Sequence, residues 1–159
     1  MYDFKIEAAD KPTLYKDLTL ALKGLIGDET DAIANMANAA GLIWESLPEL
    51  NWAGFYRNVG GELVLGPFQG RPACIRIPFG TGVCGAAAET RQVQRVDDVH
   101  AFPSHIACDS ASNSEIVVPL IRDGELLGVL DIDSPQHARF DAEDEAGVVK
   151  LGEILAKAI

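Results

Sequence analysis

Residues 115–133 read EIVVPLIRDGELLGVLDID, two apolar runs separated by a short polar segment. The runs, residues 116–121 and 126–132, have the composition of buried β-strands. Between them, Asp123-Gly124 is typical of the type I′ turn that joins two strands in a hairpin. Because this connection is short, the two strands are predicted to be antiparallel neighbours in one sheet.

The second strand of the hairpin ends in two acidic residues, Asp131 and Asp133. Side chains two residues apart on a strand point to the same face of the sheet. Aspartate is depleted in strands, so strand propensity does not explain the pair. The two carboxylates therefore mark a candidate site on one face.

The segment before the hairpin, residues 105–115, reads HIACDSASNSE and has neither helical nor strand periodicity. It carries Cys108 and leads directly into the apolar strands. Loops held by a rigid sheet often present reactive groups. Cys108 is therefore the first candidate for a catalytic residue.

The rest of the chain adds helices and short strands around the hairpin. Apolar spacing predicts a helix over 14–26, closed by Gly27, and a second helix that Asp28 caps and Pro48 ends. Strands are predicted over 51–58, 63–65, 75–77 and 92–96, with a short helix over 82–90 and a closing helix over 140–159. This order predicts an α+β domain, an antiparallel sheet with the long helices packed on one face.

The strand over 51–58 places aromatic residues on one face. Alternation puts Trp52, Gly54 and Tyr56 on one side of the sheet and Ala53 and Phe55 on the other. Two aromatic rings beside a glycine leave room for a ligand. The alternative is an ordinary half-buried strand whose aromatic rings belong to the core.

Composition and charge exclude several classes of partner. The formal net charge is −11 over 159 residues, so nucleic-acid phosphates would be repelled. No apolar run approaches the ~20 residues that span a bilayer, and the opening MYDFKIEAAD is unlike a signal peptide. Three cysteines without close pairing are unlike a secreted disulfide framework. We expect a cytoplasmic protein with reduced thiols and with no nucleic-acid or membrane partner.

The three cysteines, Cys74, Cys84 and Cys108, all lie in irregular segments or at a helix start. Cys84 falls in the first turn of the predicted helix over 82–90, where the helix dipole is expected to lower the pKa of its thiol. The backbone N–H groups from Gly80 to Cys84 would there form an anion site.

Several chemistries use cysteines in this setting. Zinc sites usually contain closely spaced ligand pairs, whereas these cysteines are ten and twenty-four residues apart, so we expect no metal. Thiol redox chemistry needs cysteines that are distant in sequence and adjacent in space. Buried structural cysteine is the alternative to both. A cysteine hydrolase would need a base such as His105, but no scissile substrate is indicated.

Three motifs carry a resemblance to a known family: ACIRIPFGTGVCG (73–85), VHAFPSHIACDSASNSEIVVPL (99–120) and GVLDIDSP (128–135). Together they resemble the free methionine-(R)-sulfoxide reductases, which are built on a GAF domain. The resemblance extends from NWAGFY to LDIDSP, nearly the whole chain. It implies one GAF domain over residues 1–159, in which loops form a pocket on the face opposite the N- and C-terminal helices.

The resemblance also implies roles for individual residues. Cys108 corresponds to the cysteine that attacks the sulfoxide sulfur, Cys74 to the main resolving cysteine and Cys84 to a third cysteine able to enter disulfide exchange. The residues implied to line the substrate pocket are Trp52, Tyr56, Glu115, Asp131 and Asp133.

Physical chemistry makes these implied roles intelligible. Free methionine sulfoxide is a zwitterion, so its ammonium group needs a carboxylate partner. Asp131 is expected to bind this ammonium, and Asp133 is expected to lie nearer the sulfoxide. Its carboxylate would bind backbone N–H groups near Gly80 to Cys84. Crowded acids raise each other's pKa, which allows a neutral carboxyl to donate a proton. Thioredoxin would restore the thiols, and no cofactor is needed.

A second class of function stays open beside the reductase. GAF modules also act as non-catalytic sensors of small molecules, and a free-standing sensor would need an output surface on this chain. The sequence leaves both a monomer and a homodimer open.

Overall fold

The computed structural model describes residues 6–104 and 110–159. These ranges contain four α-helices: α1 (Lys11–Ile26), α2 (Ala32–Ser46), α3 (Gly82–Thr90) and α4 (Ala142–Ala158). They contain six strands: β1 (Trp52–Val59), β2 (Glu62–Gly70), β3 (Arg76–Pro78), β4 (Gln94–Val96), β5 (Ser114–Arg122) and β6 (Glu125–Ser134). A 3-10 helix spans Val99–Ala101. The candidate nucleophile Cys108 and the candidate base His105 lie outside the described residues.

Side-chain caps determine where the first two helices begin. The Asp10 carboxylate accepts a hydrogen bond from the Thr13 N–H at 2.8 Å, so α1 starts at Lys11, three residues before the predicted boundary. The Asp31 carboxylate caps α2 through the Ala34 N–H at 2.8 Å. The prediction that Asp28 caps this helix was therefore wrong, because a cap must lie within three residues of the N–H that it accepts.

The strands form one antiparallel sheet in the order β3-β2-β1-β6-β5-β4. The predicted β5–β6 hairpin is confirmed, and Asp123 and Gly124 have φ angles of 52° and 78°, both positive as a type I′ turn requires. Strand β2 extends to Gly70, well past the predicted residue 65, and a register shift occurs opposite it between Gly54 and Tyr56. Glycine and proline are typical of loops, so Gly66 and Pro67 are the reason that this extension was not predicted as strand.

The two faces of the sheet build two separate apolar clusters. Helices α1, α2 and α4 pack on one face against side chains that include Ala53 and Phe55 of β1. The other face carries α3 and includes Trp52 and Tyr56. The predicted alternation along β1 and the long helices on a single face are both confirmed. We call the second side of the sheet the α3 face.

A buried carboxylate ties α1 to α4. Asp144 accepts hydrogen bonds from the Tyr15 hydroxyl at 2.8 Å and from Lys11 Nζ at 2.6 Å. The Tyr15 ring lies so close to Gly147 that a Cβ there would come within 2.1 Å of Tyr15 Cγ. The residue at 147 must therefore lack a side chain. No helix in the described ranges is both long and apolar enough to cross a membrane.

Candidate active site

Strand register brings the predicted acidic residues to the α3 face. On β6, Asp133 pairs with Glu115 of β5 on one side and with Trp52 of β1 on the other. Asp131, two residues earlier on β6, pairs with Gly54. Residues directly opposite each other share a face, so all three carboxyl groups lie on the side of the sheet that carries Trp52.

Cys84 joins two of these acids from the helix above. Its thiol donates toward Oε1 of Glu115 at 3.8 Å. One side-chain atom from each of Cys84, Glu115 and Asp131 lies within 4.8 Å of the other two, and all three residues are buried. We refer to these three residues as the carboxyl–thiol cluster. The sequence placed Cys84 at a helix start but did not indicate this contact, which depends on how α3 docks on the sheet.

Close backbone packing fixes the position of α3. A Cβ at Gly85 would lie 2.5 Å from the Pro78 carbonyl oxygen, so only glycine lets the helix approach this closely. The Gly80 N–H donates to the Gly85 carbonyl at 2.8 Å, and the Gly82 N–H donates to Ser104 at 3.0 Å. The Thr81 N–H is bonded to the Pro78 carbonyl at 3.2 Å. Among the described residues, the N–H groups of Val83 and Cys84 are therefore the ones left for the predicted anion site.

Burial among acids dominates the electrostatics of the cluster. Desolvation, followed by the charges of Asp131 and Asp133, raises the pKa of Glu115 well above its usual value. Desolvation raises the pKa of Asp131 to about 6, although hydrogen bonds from Cys84 and Glu115 oppose the rise. The two buried carboxyl groups therefore hold a proton to a higher pH than free acids would.

The expected low pKa of Cys84 was wrong. Desolvation, then the charges of Asp131 and Glu115, raises the pKa of this thiol well above its usual value. A helix dipole contributes about 0.3–1 kcal/mol at an exposed terminus, whereas removing a charge from water costs several kcal/mol. Cys84 is a free, buried and protonated thiol.

One carboxylate oxygen of the cluster has no hydrogen-bond partner in residues 6–104 and 110–159. Oδ1 of Asp131 is buried and accepts no hydrogen bond within the described part of the chain, and the residue is 5% exposed. A buried acceptor without a donor costs roughly 1–3 kcal/mol, and more when it is charged. The site is therefore built to receive a hydrogen-bond donor or a cation.

The predicted aromatic residues are packed into the α3 face. Trp52 and Tyr56 are each 2% exposed, and their rings stack at a centroid distance of 5.8 Å. The Trp52 Nε1–H donates to the Arg71 carbonyl at 3.2 Å, and the Tyr56 hydroxyl donates to the Cys74 carbonyl at 3.0 Å. Both rings are therefore covered by protein in this structure and also hold the segment that carries Cys74.

The expectation that Gly54 leaves room for a ligand was wrong. A Cβ at Gly54 would lie 2.3 Å from Phe68 Cβ, so Phe68 fills that space. Its ring stacks on Trp52 at 5.2 Å with an interplanar angle of 14°. Sequence reasoning missed Phe68 because its strand was predicted to end at residue 65.

The remaining predicted site residues lie at the edges of the carboxyl–thiol cluster. Asp133 is half-buried and close enough to raise the pKa of Glu115. Cys74 is half-buried between β2 and β3 and packs against the α3 face. The site thus combines a neutral thiol with two buried carboxyl groups of raised pKa, and Oδ1 of Asp131 has no partner among the described residues.

Comparison with known proteins identifies the fold. The GAF domain family matches residues 25–159. The free methionine-R-sulfoxide reductase of Escherichia coli is 51% identical over 94% of this chain and 91% of its own length. The Saccharomyces cerevisiae protein of the same name is 44% identical over 93% of this chain and 87% of its own length.

A solved structure agrees over the whole fold. The free methionine-R-sulfoxide reductase of Neisseria meningitidis, solved in complex with its substrate, superposes with a TM-score of 0.95 at 46% identity. The match covers 99% of this chain and 95% of the Neisseria chain. The chain therefore belongs to the GAF domain family, within the group of the free methionine-R-sulfoxide reductases.

Proposed function

We propose that this protein reduces free methionine (R)-sulfoxide to methionine and that thioredoxin supplies the electrons. The observation that carries the proposal is the carboxyl–thiol cluster on the α3 face, in which Oδ1 of Asp131 has no partner among the described residues. Relatives at 51% and 44% identity that bear the reductase name support the same reaction.

The acids divide into two roles by their protonation. Asp131, largely ionised above pH 6, accepts hydrogen bonds from the substrate ammonium at its free Oδ1. We assign the transferable proton to Glu115, because burial raises the pKa of this carboxyl well above its usual value. It donates that proton toward the sulfoxide oxygen as the sulfur is attacked, general acid catalysis worth roughly 10²–10⁴-fold. Asp133, at the half-buried edge, lies nearer the sulfoxide than Asp131 does.

The apolar end of the substrate needs an apolar wall. The stack of Phe68, Trp52 and Tyr56 lies on the same face as the acids and supplies such a wall for the S-methyl group. The substrate carboxylate binds the N–H groups of Val83 and Cys84 at the start of α3, where Thr81 forms no side-chain cap.

The redox step moves one oxygen atom and two electrons. Cys108 attacks the sulfoxide sulfur, the sulfoxide oxygen ends on Cys108 as a sulfenic acid, and the substrate leaves as the thioether methionine. The Cys74 thiol then attacks the sulfenic sulfur, which forms a disulfide and releases water. A dithiol of the thioredoxin class reduces this disulfide by exchange. Cys84, buried and protonated, enters exchange only as a third thiol.

The experiment is an assay of methionine formed from the separated R and S sulfoxides of the free amino acid, with thioredoxin, thioredoxin reductase and NADPH. The R isomer should be consumed by the wild type and left unchanged by Cys108→Ser. Binding of the sulfoxide without any methionine formation would instead favour the non-catalytic sensor.

A further inference from the structure

The carboxyl–thiol cluster has the donor set of a soft-metal site. It offers one thiol sulfur and two carboxylate oxygens from three different elements, α3, β5 and β6. Thiolate ligands select thiophilic cations such as Zn²⁺ over Mg²⁺ or Ca²⁺, which prefer oxygen alone. We propose that Cys84, Glu115 and Asp131 bind a divalent cation of the Zn²⁺ class.

The distances are close to those of a metal-bound arrangement. With Zn–S near 2.3 Å and Zn–O near 2.0 Å, tetrahedral geometry separates sulfur from oxygen by about 3.5 Å. Cys84 Sγ lies 3.8 Å from Oε1 of Glu115, and the third donor is within 4.8 Å of both. Side-chain movements of roughly 1.5 Å or less would close the set, and metal binding releases the protons of the thiol and of the buried carboxyl group.

An independent observation also points to a cation. Oδ1 of Asp131 is buried and has no hydrogen-bond partner among the described residues. No lysine, arginine or histidine in residues 6–104 and 110–159 forms an ion pair with Glu115 or Asp131. The cluster is therefore an acidic site that lacks a protein counter-charge within these ranges.

Three protein ligands leave a fourth position open, as in catalytic rather than structural zinc sites. The sequence prediction excluded zinc because it considered only sites with closely spaced pairs of thiols. Tertiary packing instead supplies one cysteine and two acids.

The consequence for activity rests on the proposed function. The cation and the substrate ammonium both use the Asp131 carboxylate, so they exclude each other. Zn²⁺ is then a competitive inhibitor of the reductase. The rate of sulfoxide reduction would fall as the concentration of free thiophilic metal rises.

The test uses Co²⁺, which reports a thiolate ligand through a charge-transfer band in the near ultraviolet. Reduced wild-type protein and Cys74→Ser should both show the band, and Cys84→Ser should lose it. Asp131→Asn removes a direct metal ligand. It should therefore weaken Co²⁺ binding by more than the roughly 10- to 100-fold loss caused by mutating residues that only hydrogen-bond to a ligand. Circular dichroism checks that each variant is folded. A band that survives in Cys84→Ser, or the absence of a band in the wild type, would overturn the proposal.

Adding free methionine sulfoxide to the Co²⁺ complex separates this inference from the proposed function. Loss of the band at substrate concentrations that saturate the enzyme supports a shared site. A band that the sulfoxide leaves unchanged, in a protein that reduces the sulfoxide, would overturn the competition while the reductase proposal stands. A band in a protein without reductase activity would leave the metal site in place and overturn the reductase.

Discussion

The thiol of Cys84 lies 3.8 Å from Oε1 of Glu115, although the two residues are 31 positions apart in the chain. The contact joins the first turn of α3 to the second residue of β5, and both residues are buried. Desolvation raises the pKa of both groups, and the charge of Glu115 adds to the rise at Cys84. The hydrogen bond from Cys84 opposes the rise at Glu115. The thiol is therefore a neutral donor, and the carboxyl holds a proton to a higher pH than it would in water.

Glu115→Gln should reduce kcat by roughly 10²–10⁴-fold while changing KM little, because glutamine keeps the shape but cannot transfer a proton. In the wild type, kcat should fall as pH rises through the raised pKa of Glu115, since the donor is then ionised. Steady-state kinetics from pH 6 to 9 check both outcomes. Glu125→Gln, an exposed change on the same hairpin, is the control. Equal kcat in the two variants would contradict the assignment.

Asp131 should make the protein less stable as pH rises. Its pKa is 3.8 as a model value and about 6 in the folded chain, so between these values the folded state binds more protons than the unfolded state. The free energy of unfolding therefore falls with rising pH across this window, by on the order of 2–3 kcal/mol. Asp131→Asn should remove this fall.

Urea unfolding at pH 4 to 8 measures the effect. Asp28→Asn, which removes the same charge from an exposed position, should keep the wild-type slope. Parallel curves for the wild type and Asp131→Asn would show that this carboxylate is not destabilised by burial.

The site should accept only the free amino acid. N-acetylation removes the ammonium that the unpartnered oxygen of Asp131 is proposed to bind. Loss of a charge partner from a desolvated site costs about 2–5 kcal/mol, so N-acetylmethionine sulfoxide should be reduced far more slowly. Competition assays with both compounds in one tube give the ratio of kcat/KM directly, and a ratio near one contradicts ammonium recognition.

Cys74→Ser should complete one turnover and then stop. The variant keeps the proposed nucleophile Cys108 but lacks the thiol that condenses with its sulfenic acid. Rapid-quench measurement should find one methionine per protein and no thioredoxin-driven recycling. Loss of the first turnover as well would make Cys74 the better candidate for the nucleophile.

Two helical glycines should respond in opposite directions to alanine. A Cβ at Gly147 would lie 2.1 Å from the Tyr15 ring, so Gly147→Ala should destabilise the protein by roughly 1–3 kcal/mol. A Cβ added at Gly24 in α1 would meet no atom outside its own turn of helix within 4 Å in the described part of the chain. Gly24→Ala should therefore stabilise the protein by about 0.5–1 kcal/mol through helix propensity. Thermal or urea unfolding of both variants measures the difference, and effects of the same sign would contradict the packing at Tyr15.

Local spacing was enough to predict much of the fold. The hairpin of β5 and β6, the bounds of α3 and the two faces of β1 all follow from periodicity and turn residues over a few positions. The same-face placement of Asp131 and Asp133 follows from the two-residue repeat of a strand. The motifs around the cysteines were specific enough to indicate the family.

The chemistry of the site depended on contacts that no local pattern encodes. The cap of α2 at Asp31, the filling of the space beside Gly54 by Phe68 and the high pKa of Cys84 all overturned predictions made from sequence. Desolvation is the common physical reason for the pKa change, since it depends on which groups from distant strands and helices close around a side chain. A helix start made Cys84 look like a thiolate, whereas its burial between Glu115 and Asp131 makes it a neutral thiol.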